Sequence, residues 1–210
     1  MLQVMLCSCG CKESIESFDV RGRPRNFKNG HSRRIPSGQA SLEQIKTFFD
    51  YDMVNGLLLS DGFLRLEKFA KNASFNLNQN DKHHDFMLCV KNMLLMSGFH
   101  VSLKSTITKD KRFEPIRIHQ REELATNSHI LFTELRQKWY DSRKKIVPKD
   151  LELTPKALAY WYMGDGCSTW EKYNGVRIYL ATNAFSAEDL KILCNLLSKL
   201  QFTPNIMKDN

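Results

Sequence analysis

Long apolar runs are what this chain of 210 residues lacks. Nothing approaches 18 consecutive apolar residues, which excludes a membrane-spanning helix on hydropathy. The opening MLQVMLCSCGC is too short and too rich in cysteine for a secretory signal. There is no glycine-rich phosphate loop and no nucleophile–histidine–acid arrangement of the acyl-transfer kind. Acid is missing from Val20 to Arg34. Of the six cysteines, Cys7, Cys9 and Cys11 crowd into five residues, and Cys89, Cys167 and Cys194 stand singly in apolar or motif contexts. Without a secretory signal, that usage reads as thiols in a reducing, intracellular compartment, cytoplasmic or organellar.

What is present is a globular composition, 42% hydrophobic and 26% charged, with a formal net charge of +8. The isoelectric point of about 9.2 favours a polyanionic partner, nucleic acid first. Residues 1–34 have few core-forming positions and need a staple to fold. Cys7, Cys9, Cys11 and His31 make a complete tetrahedral set for zinc, and Gly10 allows the close spacing. The alternative is three incidental thiols in a basic tail. The same segment carries Arg21, Arg23, Arg25, Lys28, Arg33 and Arg34, suited to phosphate contacts. Residues 35–42, around IPSGQAS, read as a linker.

The stretch LAYWYMGDGCSTW (158–170) runs bulky apolar residues straight into Gly-Asp-Gly. Alone, Asp165-Gly166 is an ordinary helix-ending turn. An internal repeat changes that reading. VNGLLLSDGFLRLEKF (54–69) lies over LAYWYMGDGCSTWEKY (158–173), so that Asp61-Gly62 falls on Asp165-Gly166. After a one-residue deletion, SFNLNQN (74–80) lies over RIYLATN (177–183), Phe99 over Phe202 and Leu103 over Ile206. The first copy, 43–150, reads as a helix over 43–60, a hairpin from FLRLEKF and SFNLNQN, a helix over 82–97, two strands in 100–119 and a helix over 127–141. The second copy, 151–210, repeats the motif helix from Pro155, a hairpin and a helix over 186–200 capped by Ser186. It is expected to be incomplete by about 35 residues on the repeat accounting.

The paired motifs VNGLLLSDG (54–62) and LAYWYMGDG (158–166) resemble those of the LAGLIDADG homing endonucleases of single-chain, two-motif type, over residues 43–210. The resemblance implies an α+β fold of duplicated αββαββα units and a monomer with internal pseudo-twofold symmetry. Its motif helices would lie side by side, with Gly56, Ser60, Ala159 and Gly164 allowing close approach. It also implies Asp61 and Asp165 at the base of a DNA-binding saddle, holding two or more Mg²⁺ ions together with Gly62 and Gly166. Lys145 would stand near the reacting phosphate, with Lys144 as second choice. The activity implied is site-specific, metal-dependent cleavage of both strands of a long DNA target, leaving short 3′ overhangs, by an intron-encoded enzyme. The alternative is a non-cleaving binder on the same scaffold, an intron RNA maturase, a DNA-binding regulator or a degenerate remnant.

DNA contacts are expected from the strands, through Arg65, Lys68, Asn76, Asn78, Gln79, Lys104, Arg117, His119, Lys172, Arg177 and Thr182. Asn80 and Asn183, in matched positions, are candidates for ordering water. His83-His84 reads as surface, and Trp139 and Tyr140 as core or interface aromatics.

Overall fold

The computed structural model describes residues 4–6, 14–16, 45–46, 48–110, 117–172 and 175–207, with the backbone alone for 4–6, 15–16, 108–110, 117–119 and 171. Strands β1 (Val4–Leu6) and β2 (Ser14–Glu16) form a short antiparallel pair, Met5 opposite Ile15. Cys7, Cys9, Cys11, His31 and the arginines Arg21, Arg23, Arg25 and Arg33 lie outside the described residues.

Helix α1 (Tyr51–Leu59) opens the first repeat. Asp50 starts it, its Oδ1 accepting from the Met53 amide at 3.1 Å, so the expected helix over 43–60 is interrupted at its cap. Strands β3 (Gly62–Arg65), β4 (Ser74–Asn80), β5 (Val101–Asp110) and β6 (Arg117–Thr126) make one antiparallel sheet in the order β3-β4-β6-β5. Helix α2 (His84–Met96) connects β4 to β5, and α3 (Ile130–Trp139) follows β6. The short strands β7 (Tyr140–Asp141) and β8 (Lys144–Lys145) pair Tyr140 with Lys145. The second repeat has α4 (Pro155–Asp165), the hairpin β9 (Gly166–Glu171) and β10 (Gly175–Leu180), and α5 (Ala187–Lys199). Ser186 and Asp189 close a reciprocal capping box at the start of α5. This is the α+β architecture expected. No helix among the described residues is long and apolar enough to cross a membrane.

The core lies between the first sheet and helices α1, α2 and α3. Period-two alternation turns Phe75 and Leu77 of β4 inward, both fully buried. Phe132 of α3 stacks on Phe75 at 6.2 Å and packs against Phe99 at 4.7 Å. Thr133 Oγ1 accepts from the Ala73 amide at 2.9 Å, and Thr126 Oγ1 from the Phe75 amide at 2.9 Å. The matched positions of the second repeat have no such cover among the described residues. Ala73, Phe75 and Phe99 are at most 2% exposed, whereas their counterparts Val176, Ile178 and Phe202 are 59%, 54% and 48% exposed. One residue pattern therefore does two different things, depending on whether a second hairpin and a third helix lie against it.

That difference has an energetic consequence. Phe75→Ala is expected to cost about 3–5 kcal/mol in urea denaturation, the range for emptying an aromatic site in a core. Ile178→Ala is expected to cost about 0.5 kcal/mol or less, as at an open surface.

A candidate acidic site at the tips of two paired helices

The two motif helices run parallel and touch from end to end. At their starts Lys156 Nζ lies 2.6 Å from Asp50 Oδ2. Midway, Gly56 is so close to α4 that a Cβ on it would stand 2.2 Å from the Ala157 carbonyl oxygen and 2.7 Å from Tyr160 Cβ. At their ends Gly164 abuts Ser60, with 2.2 Å between a built Cβ and Ser60 Oγ. The contact stripe of α4 is Ala157, Tyr160 and Gly164, at helical spacing. Gly56, Ser60 and Gly164 thus serve the close approach as expected. Ala159 does not: it is exposed, and the fully buried Ala157 takes its place.

This packing carries both acids to one place. Asp61 lies between the end of α1 and β3, and Asp165 is the last residue of α4. Gly56, one turn before the tip, fixes how closely the tips can come. Each helix also directs the negative end of its dipole there. Burial raises the Asp61 carboxyl above its ordinary value, against the opposing effects of Gln79, Lys145, Arg121 and His83. Asp165 is pushed up to about 6, first by burial and then by the Asp61 charge, with Lys145 opposing. Burial pulls the Lys145 ammonium down to about 8, while Asp165 and Asp61 act to raise it.

Gln79, expected among the DNA contacts, lies against Asp61. Its Nε2 donates to Asp61 Oδ2 at 2.6 Å. Along β4, Gln79 follows Phe75 and Leu77 on the inward face, near the strand end. Counting by twos would have separated it from Asn76 and Asn78. Asn76 is itself buried, and its Nδ2 donates to the Ser74 carbonyl at 3.2 Å and to Ser74 Oγ at 3.0 Å. Asn80 caps the turn at 81–83, accepting from the Lys82 amide at 3.1 Å. His84 is exposed, as expected, and its Nδ1 lies 2.7 Å from Oε1 of buried Glu122, which stands opposite Gln79 in the sheet.

The other strand candidates divide by exposure. Lys104, Lys172 and Arg177 are exposed, and Asn78 and Thr182 are half-buried. Arg65 is exposed and paired with Glu67 at 2.7 Å; Lys68 sits over the Phe69 ring. Arg117 and His119 belong to β6, with only their backbone described.

Lys145 reaches α1 rather than open solvent. Its Nζ donates to the carbonyls of Leu58, Ser60 and Gly62 at 2.8, 3.0 and 2.7 Å. The Gly62 carbonyl, expected to help with metal, is engaged by that ammonium. At the other tip the Gly166 amide donates to the Tyr162 carbonyl, closing α4. Two carboxylates, crowded enough to resist ionisation, are hard oxygen donors suited to a hard divalent cation. No group of three or more His, Cys, Asp or Glu side chains among the described residues could enclose a metal. The remaining ligands would have to be water or phosphate oxygens, which is how Mg²⁺ is commonly held.

Residues 51–210 match the LAGLIDADG DNA endonuclease family. The chain belongs to that family. It is 32% identical over 158 residues to an uncharacterized protein, MJ1098, of Methanocaldococcus jannaschii, covering 75% of this chain and 57% of the relative. It is 28% identical over 149 residues to the cytochrome b mRNA maturase bI2 of Debaryomyces hansenii, covering 70% and 54%. A shorter match, 31% over 94 residues, joins it to the intron-encoded endonuclease ai4 of Dictyostelium discoideum, covering 43% and 56%. The chain thus spans little more than half the length of these relatives. The fold is that of the homing endonuclease I-WcaI, solved bound to its DNA recognition sequence. The TM-score is 0.61 and the identity 22%, over 81% of this chain and 73% of that one.

Two stability measurements probe this site. Gly56→Ala should destabilise by about 1–3 kcal/mol in urea denaturation despite the better helix propensity of alanine, because the added methyl meets a backbone oxygen. Asp165 ionises near 6 in the fold and at 3.8 in an open chain. The folded state therefore binds more protons between those values, and its stability falls as pH rises through them. Asp165→Asn should raise the protein's stability above pH 6 by about 1 kcal/mol, allowing for solvent screening at a half-buried site, and change nothing below pH 4. Thermal unfolding at both pH values reads this directly.

Proposed function

We propose that this protein is a site-specific, metal-dependent DNA endonuclease whose reaction centre is the Asp61–Asp165 pair. The observation that carries the reading is the convergence of two raised carboxylates and two helix C-termini at one point. Such a point is poorly stable unless a cation is brought to it. Asp61 and Asp165 would hold Mg²⁺, which when bound polarises a phosphate oxygen and lowers the pKa of an attacking water. The chain's own part is to fix the geometry. Gln79 orients the Asp61 carboxylate through its amide, and the helix contact sets the separation of the two acids. Exposed cations on the strands and their turns, Lys104, Lys172 and Arg177 among them, would meet the phosphate backbone of a duplex.

A second reading has one observation in its favour. The maturase names among the relatives fit binding of intron RNA on the same scaffold, with the acids retained but unused.

The two readings part in a cleavage selection from a randomised duplex library with Mg²⁺, repeated with Asp61→Asn and Asp165→Asn. The endonuclease reading expects cut products from the unmodified protein. It expects a loss of at least about 100-fold in cutting for either variant, with DNA affinity kept. Cutting that survives both substitutions would refute it. Binding of structured RNA without any cutting would favour the maturase reading.

A further inference from the structure

The ammonium of Lys145 has three N–H donors, and the structure spends all three. Leu58, Ser60 and Gly62 accept them through their carbonyls at 2.8, 3.0 and 2.7 Å. Two of those carbonyls flank Asp61 on either side. The third, with that of Ser60, belongs to the end of α1, where carbonyls lack helical partners and a cation is favoured. The next carbonyl in the alternation, that of Leu64, is taken by Arg136 Nη1 at 2.6 Å, and the Leu64 amide donates to Tyr140 Oη at 3.1 Å. One segment, residues 136–145, therefore grips every second carbonyl from Leu58 to Leu64 with two cations. That segment is itself fixed: β7 pairs with β8, and the Ile146 amide donates to the Trp139 carbonyl at 2.8 Å. The tip of α4 is closed differently, by the Gly166 amide on Tyr162 and the Ala181 amide on the Asp165 carbonyl at 3.2 Å.

We propose that Lys145 is a positioning residue, which locks the backbone on both sides of Asp61 and offers no proton to a phosphate. It acts through Asp61, holding the turn between α1 and β3 so that this carboxylate is preorganised, while the backbone at the Asp165 tip is closed by the Gly166 and Ala181 amides. In its metal-binding arm, the test rests on the reading of Asp61 and Asp165 as metal ligands. The structural arms do not.

The first measurement uses the unaltered protein. With ¹⁵N- and ¹³C-labelled lysine and backbone, the Lys145 ammonium should give a slowly exchanging signal with hydrogen-bond couplings to the carbonyl carbons of Leu58, Ser60 and Gly62. Both should persist when a duplex DNA of random sequence is added. Rapid exchange, or couplings lost on adding duplex, would overturn the proposal in favour of a phosphate contact.

The second uses Lys145→Met, which keeps the stem and removes the donors. Three buried carbonyls left without partners should lower Tm by at least about 5 °C in the absence of any nucleic acid. The variant's affinity for Mn²⁺, followed by water-proton relaxation, should fall about 10-fold or more, as when a group supporting a metal ligand is lost. Loss of a nearby positive charge alone would instead tighten Mn²⁺ binding, so an unchanged or higher affinity refutes positioning. An unchanged Tm refutes the clamp. If the unaltered protein binds no Mn²⁺, the metal reading of the two acids fails. The NMR and Tm results then still decide whether Lys145 is a clamp. If Lys145→Met does not fold, the couplings in the unaltered protein decide alone.

Discussion

Two helices of this protein deliver like charge to the same point. The C-terminal end of an α-helix carries partial negative charge, and here two such ends meet with a carboxylate on each. Nothing in the hydrophobic effect favours that meeting. It is imposed by the seam between α1 and α4, where Gly56 and Gly164 leave no room for a methyl group and so let the backbones come together. The raised pKa of Asp165 is the local measure of the conflict. The rest of the molecule either enforces the seam or relieves the charge. The capped helix starts, the Lys156–Asp50 ion pair and the core beneath the first sheet do the former. Lys145, Gln79, Arg121 and His83 do the latter.

The two repeats share a pattern but not an environment. In the first, β6 and α3 complete a closed core and also deliver Arg136, Tyr140 and Lys145 to the turn that carries Asp61. In the second, the described residues follow the motif helix with one hairpin and one helix, and the matched Val176, Ile178 and Phe202 are exposed. The internal symmetry is therefore close at the helix seam and fades with distance from it. A site built on the seam inherits two acids in matched positions, each with different support. Stability and function pull against each other there. The arrangement that suits a cation is one that the protein by itself would be better off without.

Much of this was legible in the sequence because it is carried by periodicity. The duplicated motif, the helix ends at Asp-Gly and the alternation of β4 are local patterns. The resemblance to LAGLIDADG endonucleases rested on the motifs alone. What escaped was set by partners distant in sequence. Ala159 is small but lies off the contact stripe, because composition marks small residues and not the face that meets a neighbour. Gln79 stands with Asn76 and Asn78 among the expected DNA contacts because all three are polar, yet its parity with Phe75 and Leu77 turns it toward Asp61, and Asn76 is buried as well. β6 runs on to Thr126, past the expected end at His119, since the polarity of QREEL (120–124) hides a strand whose charges are answered across the sheet, as where Glu123 lies opposite Lys104. β3 was shorter than the alternation of FLRLEKF implied, ending at Arg65, with Phe69 92% exposed. The clamp by Lys145 joins residues more than eighty positions apart through backbone carbonyls, which no side-chain pattern marks.

The central claim, that the seam makes a cation site of two acids, is tested most directly by diffraction. Crystals of the protein grown with Mn²⁺ and measured at the manganese absorption edge should show an anomalous peak bonded to carboxylate oxygens of Asp61 and Asp165, at about 2.0–2.2 Å as expected for a small hard cation. A map with no peak between the helix tips at saturating Mn²⁺, or with manganese bound only elsewhere, would contradict the account.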